Sequence, residues 1–246
     1  MPLPKISTPT YELELPSTKQ KIKYRPFLVR EEKLLVLALE SEDNTQITTA
    51  IKTVIKNCIS TRNIKVEDLP TFDIEFLFLN IRGKSVGEEV EVNIICPDDG
   101  ETEVPVKINL DEIEVKFSED HDKMIKLDDQ LTMEMKYPSL DQFIKNNFDL
   151  SDDSAMDQSF EIIGGCIDKI FSADDVWAAE DCSRDEINEF LEQMNSLQFK
   201  KVEEFFNTMP RLQHELEIEN PKTKVKSKVV LSGLQSFFVS PSHMTT

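Results

Sequence analysis

Apolar and polar positions change period several times along this chain, and the changes mark its elements. Tyr11, Leu13 and Leu15 alternate with Glu12 and Glu14, and after Pro16–Gln20 the alternation resumes at Ile22 and Tyr24, which predicts a β-hairpin. Pro26 ends the strand period. With Phe27 and Leu28 it forms an apolar elbow, predicted to serve folding, and Glu31, Glu32 and Lys33 open a helix with Leu34, Leu35, Leu37 and Leu39 as its apolar positions. Asn44 suits the N-cap of a second helix, whose apolar face carries Ile47, Ile51, Val54, Ile55, Cys58 and Ile59. Asp68 and Pro70 start a third run that Gly83 stops. Phe72, Ile74, Phe76 and Phe78 also fit a strand, but the length of the run and its agreeing start and stop signals favour a helix, apolar nearly all round and therefore deeply buried.

Period two returns at Glu88. Val90, Val92 and Ile94 lead to the turn Cys96-Pro97-Asp98-Asp99-Gly100, and Val104, Val106 and Ile108 lead back. Ile113, Val115 and Phe117 continue in strand period, and Met124–Leu127 with Leu131–Met135 predicts a further hairpin. Helical signals then take over. Ser139 with Gln142 forms a capping-box pattern before Phe143; Phe160, Ile163, Cys166, Ile167, Ile170 and Phe171 mark an amphipathic helix whose Gly164-Gly165 permits close helix contact; Ser183 with Glu186 caps another; and Ser196 is expected to cap a last one ending at Pro210. Leu216 and Ile218, the turn at Asn220-Pro221, and Val225–Leu231 make a closing hairpin, followed by Leu234, Phe237 and Phe238 at helical spacing. Aligning Pro97 with Pro221 also aligns Val106 with Val230, which suggests a weak internal repeat of the hairpin.

The expected class is α+β, a helical body with several antiparallel hairpins. Its expected segments are an N-terminal arm and hairpin over 1–28, a helical core over 29–87, a hairpin region over 88–136, a helical module over 137–209, and a C-terminal hairpin with a short helix over 210–246.

Composition narrows the functions. The 246 residues carry 47 acidic against 28 basic side chains, a formal charge of −19. Phosphate contacts need clustered Lys and Arg, so neither nucleic acid nor an anionic membrane surface is the expected partner. No apolar run reaches the ~20 residues that span a bilayer, and the first ten residues lack the apolar core of a signal peptide, so folding in a cytoplasm is expected. The four cysteines, Cys58, Cys96, Cys166 and Cys182, lack paired spacing and are expected as free thiols.

In a metal ribbon the first knuckle would read Cys-Pro-x-Cys-Gly. Here Asp99 holds the second ligand position and no other cysteine pair completes a tetrahedral site, so both hairpins are taken as degenerate zinc-ribbon-like hairpins without metal. The doublets Asp98-Asp99, Asp128-Asp129, Asp152-Asp153 and Asp174-Asp175 have the composition of a carboxylate-dependent hydrolase, but adjacent residues project in different directions and solvated turns account for them better. No nucleophile-elbow or phosphate-loop motif occurs, and no catalytic, cofactor-binding or metal-binding residue is assigned.

The run from Ile6 to Ser41, the Asp73–Val86 segment DIEFLFLNIRGKSV, Cys96-Pro97, Met209-Pro210 and the Phe237-Phe238 pair together resemble the baseplate hub and hub-assembly proteins of T-even-type contractile-tailed bacteriophages, across most of the chain. The resemblance implies an acidic structural or assembly protein rather than an enzyme, with other phage baseplate or tail proteins as partners. It places that protein in the host cytoplasm during assembly, either as an assembly factor that then leaves or as a component that stays in the virion tail baseplate. Hydrolase and metal-less ribbon-type nucleic-acid binder are the alternatives. Within this reading Lys222, Lys224, Lys226 and Lys228, beside Phe237 and Phe238, are the candidate partner-binding residues, a charged rim next to aromatic anchors. The competing expectation is intramolecular, with the lysines facing the chain's own acidic hairpin.

Overall fold

The structure is a computed structural model that describes residues 6–41, 44–62, 64–139 and 155–232. It is α+β, and its residues gather into two compact units, one of Met1–Val66, Phe72–Lys116 and Arg211–Thr246 and the other of Glu67–Thr71 and Phe117–Pro210.

The first unit begins with the expected hairpin, β1 (Tyr11–Glu14) against β2 (Lys21–Tyr24), in the register Tyr11 to Tyr24. Helices α1 (Val29–Glu40), α2 (Asn44–Cys58) and α3 (Thr71–Val86) follow. The α2 stripe of Ala50, Ile51, Val54, Ile55 and Cys58 is buried as its spacing predicts, and α3 buries Phe72, Ile74, Leu77, Phe78, Leu79 and Ile81. The N-terminal hairpin is stitched to the end of α2 by the Arg25 N–H donating to the Cys58 carbonyl at 2.9 Å and the Ser60 N–H donating to Lys23 at 2.7 Å. Tyr24, Val54, Cys58 and Ile81 make one cluster there, with Phe27 and Leu35 packed on it. Burial pushes the Cys58 thiol up to about 11, the value of an inert buried sulfur.

Helix α1 departs from its expected pattern. Its inward stripe is Glu31, Leu35 and Ala38, at i, i+4 and i+7, whereas Leu34 and Leu37 are 37% and 53% exposed. Of the expected apolar positions Leu35 faces inward, Leu34 and Leu37 do not, and the first-turn Glu31 is buried on the same stripe as Leu35 and Ala38.

Strands β3 (Glu89–Ile95) and β4 (Glu103–Asn109) pair along their whole length. The 3-10 turn Leu110–Glu112 leads into β5 (Glu114–Lys116), which pairs with β10 (Arg211–Glu219), and β10 pairs in turn with β11 (Lys226–Ser232). The result is a two-stranded ribbon and a three-stranded sheet of order β11-β10-β5.

The second unit holds a four-stranded sheet, β6 (Met124–Lys126), β7 (Thr132–Met135), β8 (Ile167–Phe171) and β9 (Val176–Ala178), with α4 (Ala155–Gly165), α5 (Arg184–Glu192) and α6 (Ser196–Thr208). Here the helix expected across Phe160–Phe171 is overturned. It stops at Gly165, and Ile167–Phe171 is instead a strand paired with β7. Ile167 and Ile170 suit either period, and two consecutive glycines decide against continuing the helix. Gly164 does make the close contact: a Cβ there would lie 3.0 Å from Ile187 Cγ2 on α5. Met133, Met135, Cys166, Ile167, Leu191, Val202 and Phe205 form this unit's core. Ser183 and Glu186 close the predicted capping box, but α6 is capped by Asn195 with Gln198 rather than by Ser196. The helix expected from Ser139 lies outside the described residues.

Candidate partner-binding surface

Three turns of the first unit share one backbone design. They are Leu15-Pro16-Ser17-Thr18-Lys19, Cys96-Pro97-Asp98-Asp99-Gly100 and Asn220-Pro221-Lys222-Thr223-Lys224. In each, the N–H of the fifth residue donates to the carbonyl of the first at 2.9 Å, and the fifth residue is left-handed, with φ of 59°, 67° and 64°. The first residue of each is only 1% exposed. Proline at the second position presets φ for the turn, whereas only Gly100 is a residue that takes the left-handed conformation without steric cost. The likeness of the N-terminal copy escaped the sequence reading, although Pro16 holds the same second position as Pro97 and Pro221.

What each turn rests on differs. The Ser17 N–H donates to Asp73 Oδ1 at 3.0 Å and its hydroxyl bonds Asp73 Oδ2. Asp73 is buried on α3, and burial raises its pKa against the lowering effect of the Ser17 bonds. The other two turns bind each other. The Asn220 amide, itself 1% exposed, donates to Asp98 Oδ1 at 3.1 Å, to Asp98 Oδ2 at 3.0 Å and to Asp99 Oδ2 at 2.9 Å, and the Thr223 hydroxyl donates to Asp98. The Thr102 hydroxyl and N–H, the Asn220 amide and the Glu101 N–H hold Asp99 well below the usual carboxylate range; the Thr223 hydroxyl and then Asn220 lower Asp98.

Cys96, Asp99, Asn220 and Thr223 thus occupy the four positions at which a two-knuckle ribbon carries metal ligands, and a hydrogen-bond network links the two turns. Among the described residues no group of three or more His, Cys, Asp or Glu is placed to hold a metal ion. Of the other doublets, Asp128 accepts the Gln130 and Leu131 N–H groups, both at 2.8 Å, and Asp174 and Asp175 donate their backbone N–H groups to Ser172 Oγ. Asp152-Asp153 lies outside the described residues.

Below the turns the hairpins pack through their apolar faces. Ile94, Cys96 and Ile218 are buried together, with Val92, Val104, Val106, Leu216, Val229 and Leu231 around them. The proposed alignment of Val106 with Val230 slips by one residue: Val106 faces this core while Val230 is 52% exposed. The first loop closes from the Cys96 N–H to the Thr102 carbonyl, and the second one residue sooner, from Asn220 to Val225, so the returning strands are out of phase.

This packing turns the charges outward. Lys222, Lys224, Lys226 and Lys228 are all exposed, and the cross-strand neighbours of Lys226 and Lys228 are Glu219 and Glu217. The Lys226 Nζ lies 3.9 Å from Glu217, a solvent-screened pair. Phe237 and Phe238 lie outside the described residues. At the elbow, Pro26 is buried, Phe27 is half-buried with its N–H donating to Ser85 Oγ at 2.9 Å, and Leu28 is 37% exposed.

In the second unit, Phe160, Ile162, Ile163, Phe199 and Phe206 line an open apolar groove between α4 and α6. Glu203, Asn207 and Ser159 are its polar lining.

A family model described as T4 bacteriophage base plate protein matches residues 8–239 of this chain. No curated protein and no solved structure matches it.

Proposed function

Because this chain belongs to the family of T4 bacteriophage base plate proteins, and is thereby a structural component of a phage baseplate, we propose that it acts in the baseplate hub or in hub assembly, by binding other baseplate proteins rather than by catalysis. The observation that carries this reading is the closing hairpin. Four exposed lysines stand on a chain of charge −19, and the apolar face beneath them is already buried against the acidic ribbon. Charges left on an outward face set the orientation and rate of association with an acidic partner. The Asp98-Asp99 doublet, by contrast, spends its oxygens on Asn220, Thr102 and Thr223, which supports a structural role for it. In this reading assembly takes place in the host cytoplasm, and mass spectrometry of purified particles determines whether the protein is retained in the tail baseplate.

Charge reversal of Lys224 and Lys226 to Glu tests the docking surface. The variant is expected to stay folded while its association with purified baseplate proteins slows and loses salt dependence. A lower melting temperature with binding intact would place the docking surface elsewhere. Hydrolysis of cell-wall glycan by the purified protein, without binding to any tail protein, would overturn the role itself.

A further inference from the structure

Strand β11 is the end strand of its sheet. All seven of its residues pair with β10, and among the described residues no strand pairs with its other side at Lys226, Lys228 or Val230. The Asn220 N–H bonds the Val225 carbonyl at 2.9 Å, which sets the phase of the ladder. Hydrogen-bonded pairs alternate along an antiparallel ladder, so Ser227, Val229 and Leu231 bond β10, while Lys226, Lys228 and Val230 direct their N–H and C=O groups away from it. The side chains of these three residues are exposed, as is that of Ser232 at the end of the strand.

β10 shows what kind of neighbour this strand accepts. Opposite Lys226, Lys228 and Val230 it sets Glu219, Glu217 and Glu215, and opposite Ser227 and Val229 it sets Ile218 and Leu216. The open side of β11 offers the same side chains to a strand on its other flank. A complementary strand therefore alternates acidic residues on the lysine face with aliphatic residues on the face that continues the Val229 and Leu231 surface. Edge lysines ordinarily discourage strand pairing, because an incoming strand must accommodate their charge. Here they repel a basic strand, including β11 of another copy, and admit an acidic one.

We propose that the outer edge of β11 takes up an extended segment of a partner baseplate protein, alternating acidic and aliphatic residues, as an added strand. This rests on the protein-binding role proposed above and specifies its mode. Main-chain hydrogen bonds would supply affinity and the lysine row the choice of partner.

The probe is a synthetic seven-residue peptide, Glu-Leu-Glu-Ile-Glu-Leu-Glu, with a Lys-for-Glu peptide as control. With the full chain, amide exchange followed by NMR should slow at Lys226, Lys228 and Val230 when the acidic peptide is added and stay unchanged with the basic one. Val230→Pro removes an N–H that the ladder to β10 does not use, and proline is tolerated at such edge positions. That variant should keep its melting behaviour, lose the peptide-induced protection, and associate about tenfold more weakly with purified baseplate proteins, a loss of the order of one strand hydrogen bond. If Val230→Pro does not fold, Lys226→Gln with Lys228→Gln carries the test, and its peptide binding should weaken and lose salt dependence. Absence of protection at the three outward amides overturns strand addition. If Val230→Pro binds baseplate proteins as the wild type does, strand addition is wrong and the protein-binding role stands. If the wild type itself binds none of them, the role fails first.

Discussion

Arg25 places its Nη2 3.0 Å from Glu31 Oε1, and its Nη1 bonds the Pro26 carbonyl at 2.9 Å, so one guanidinium closes the elbow between the N-terminal hairpin and α1. Glu31 also accepts the Leu28 N–H at 2.8 Å and Arg30 Nε at 2.7 Å, and is 1% exposed. Burial alone would raise its pKa, but the Arg25 bond, the Leu28 N–H and Arg30 outweigh burial and hold it at about 2 against an ordinary 4.5.

Removing one partner of a buried pair strands the other, so Glu31→Ala should cost about 3–5 kcal/mol in urea denaturation. The pH dependence has a definite sign. A carboxylate with a depressed folded pKa stabilises above its unfolded value, so the contribution is complete above pH 4.5 and is lost as the pH falls from there towards 2. Wild-type stability should fall through that window, and the fall should be shallower in Glu31→Gln. Equal slopes for the two proteins would show that the pair does not carry the acid sensitivity.

Asn220 presents the only amide that reaches both Asp98 and Asp99 among the described contacts of those residues. Asn220→Ala leaves an interior position without its hydrogen bonds, at a cost of about 1–3 kcal/mol. Asn220→Asp should be worse at neutral pH, since a third carboxylate replaces the donor that the first two need, and acidification should recover part of the loss. Thermal melts at two pH values check this; an Asp variant as stable as wild type at pH 7 would mean that the two turns do not depend on each other.

Much of this architecture was legible in local pattern. Period two located β3, β4, β10 and β11, and the Pro70 and Gly83 signals bracketed α3 to within a few residues. What escaped was of two kinds. Glu31 looked like an ordinary first-turn acid because nothing in helical spacing reveals that Arg25, six residues earlier, folds back onto it. Likewise Ser17 and Asp73, 56 residues apart, meet only in the fold. The second kind was competition between patterns that both fit. Ile167–Phe171 satisfied a helix until the glycine pair and pairing with Met133 and Met135 decided for a strand. The closing hairpin's turn was visible at Pro221, but whether its lysines faced inward depended on a one-residue difference in loop closure.

The matching turns also predict a gain of function. Asp99→Cys, Asn220→Cys and Thr223→Cys, added to Cys96, would supply four thiolates at the two-knuckle positions, the ligand set of a structural zinc site. The triple variant should bind one zinc per chain, with melting raised by the metal and lowered again by chelator, whereas the wild-type melt should be indifferent to chelator. Stoichiometric zinc in the wild-type protein, removed with loss of folding, would falsify the metal-free reading; a variant that stays folded yet binds none would show that the four positions do not converge.

His121 gives the last prediction, in the second unit. Its ring stacks on Tyr137 with centroids 5.5 Å apart and lies 5.1 Å from Phe205, and its Nδ1 is 3.0 Å from Thr208 Oγ1. The Thr208 hydroxyl donates to the Glu204 carbonyl at 2.7 Å, so its proton is engaged there and Nδ1 must be the donor to Oγ1. That tautomer leaves Nε2 without a proton, and this buried nitrogen has no hydrogen-bond partner among the described residues. Burial lowers the His121 pKa, the Lys123 charge lowers it further, and Asp122 opposes them. Adding a proton at Nε2 would create a buried donor with no acceptor, so the unfolded chain takes the proton first. Stability from this residue is therefore complete above its ordinary value of 6.5 and declines as the pH falls through 6.5 towards the lower folded value. His121→Phe keeps the aromatic stack and removes the titration. Its melting temperature should be flatter than that of the wild type between about pH 5 and 7, the range in which histidine alone changes charge at ordinary pKa values. An unchanged slope in His121→Phe would assign the pH dependence to another group.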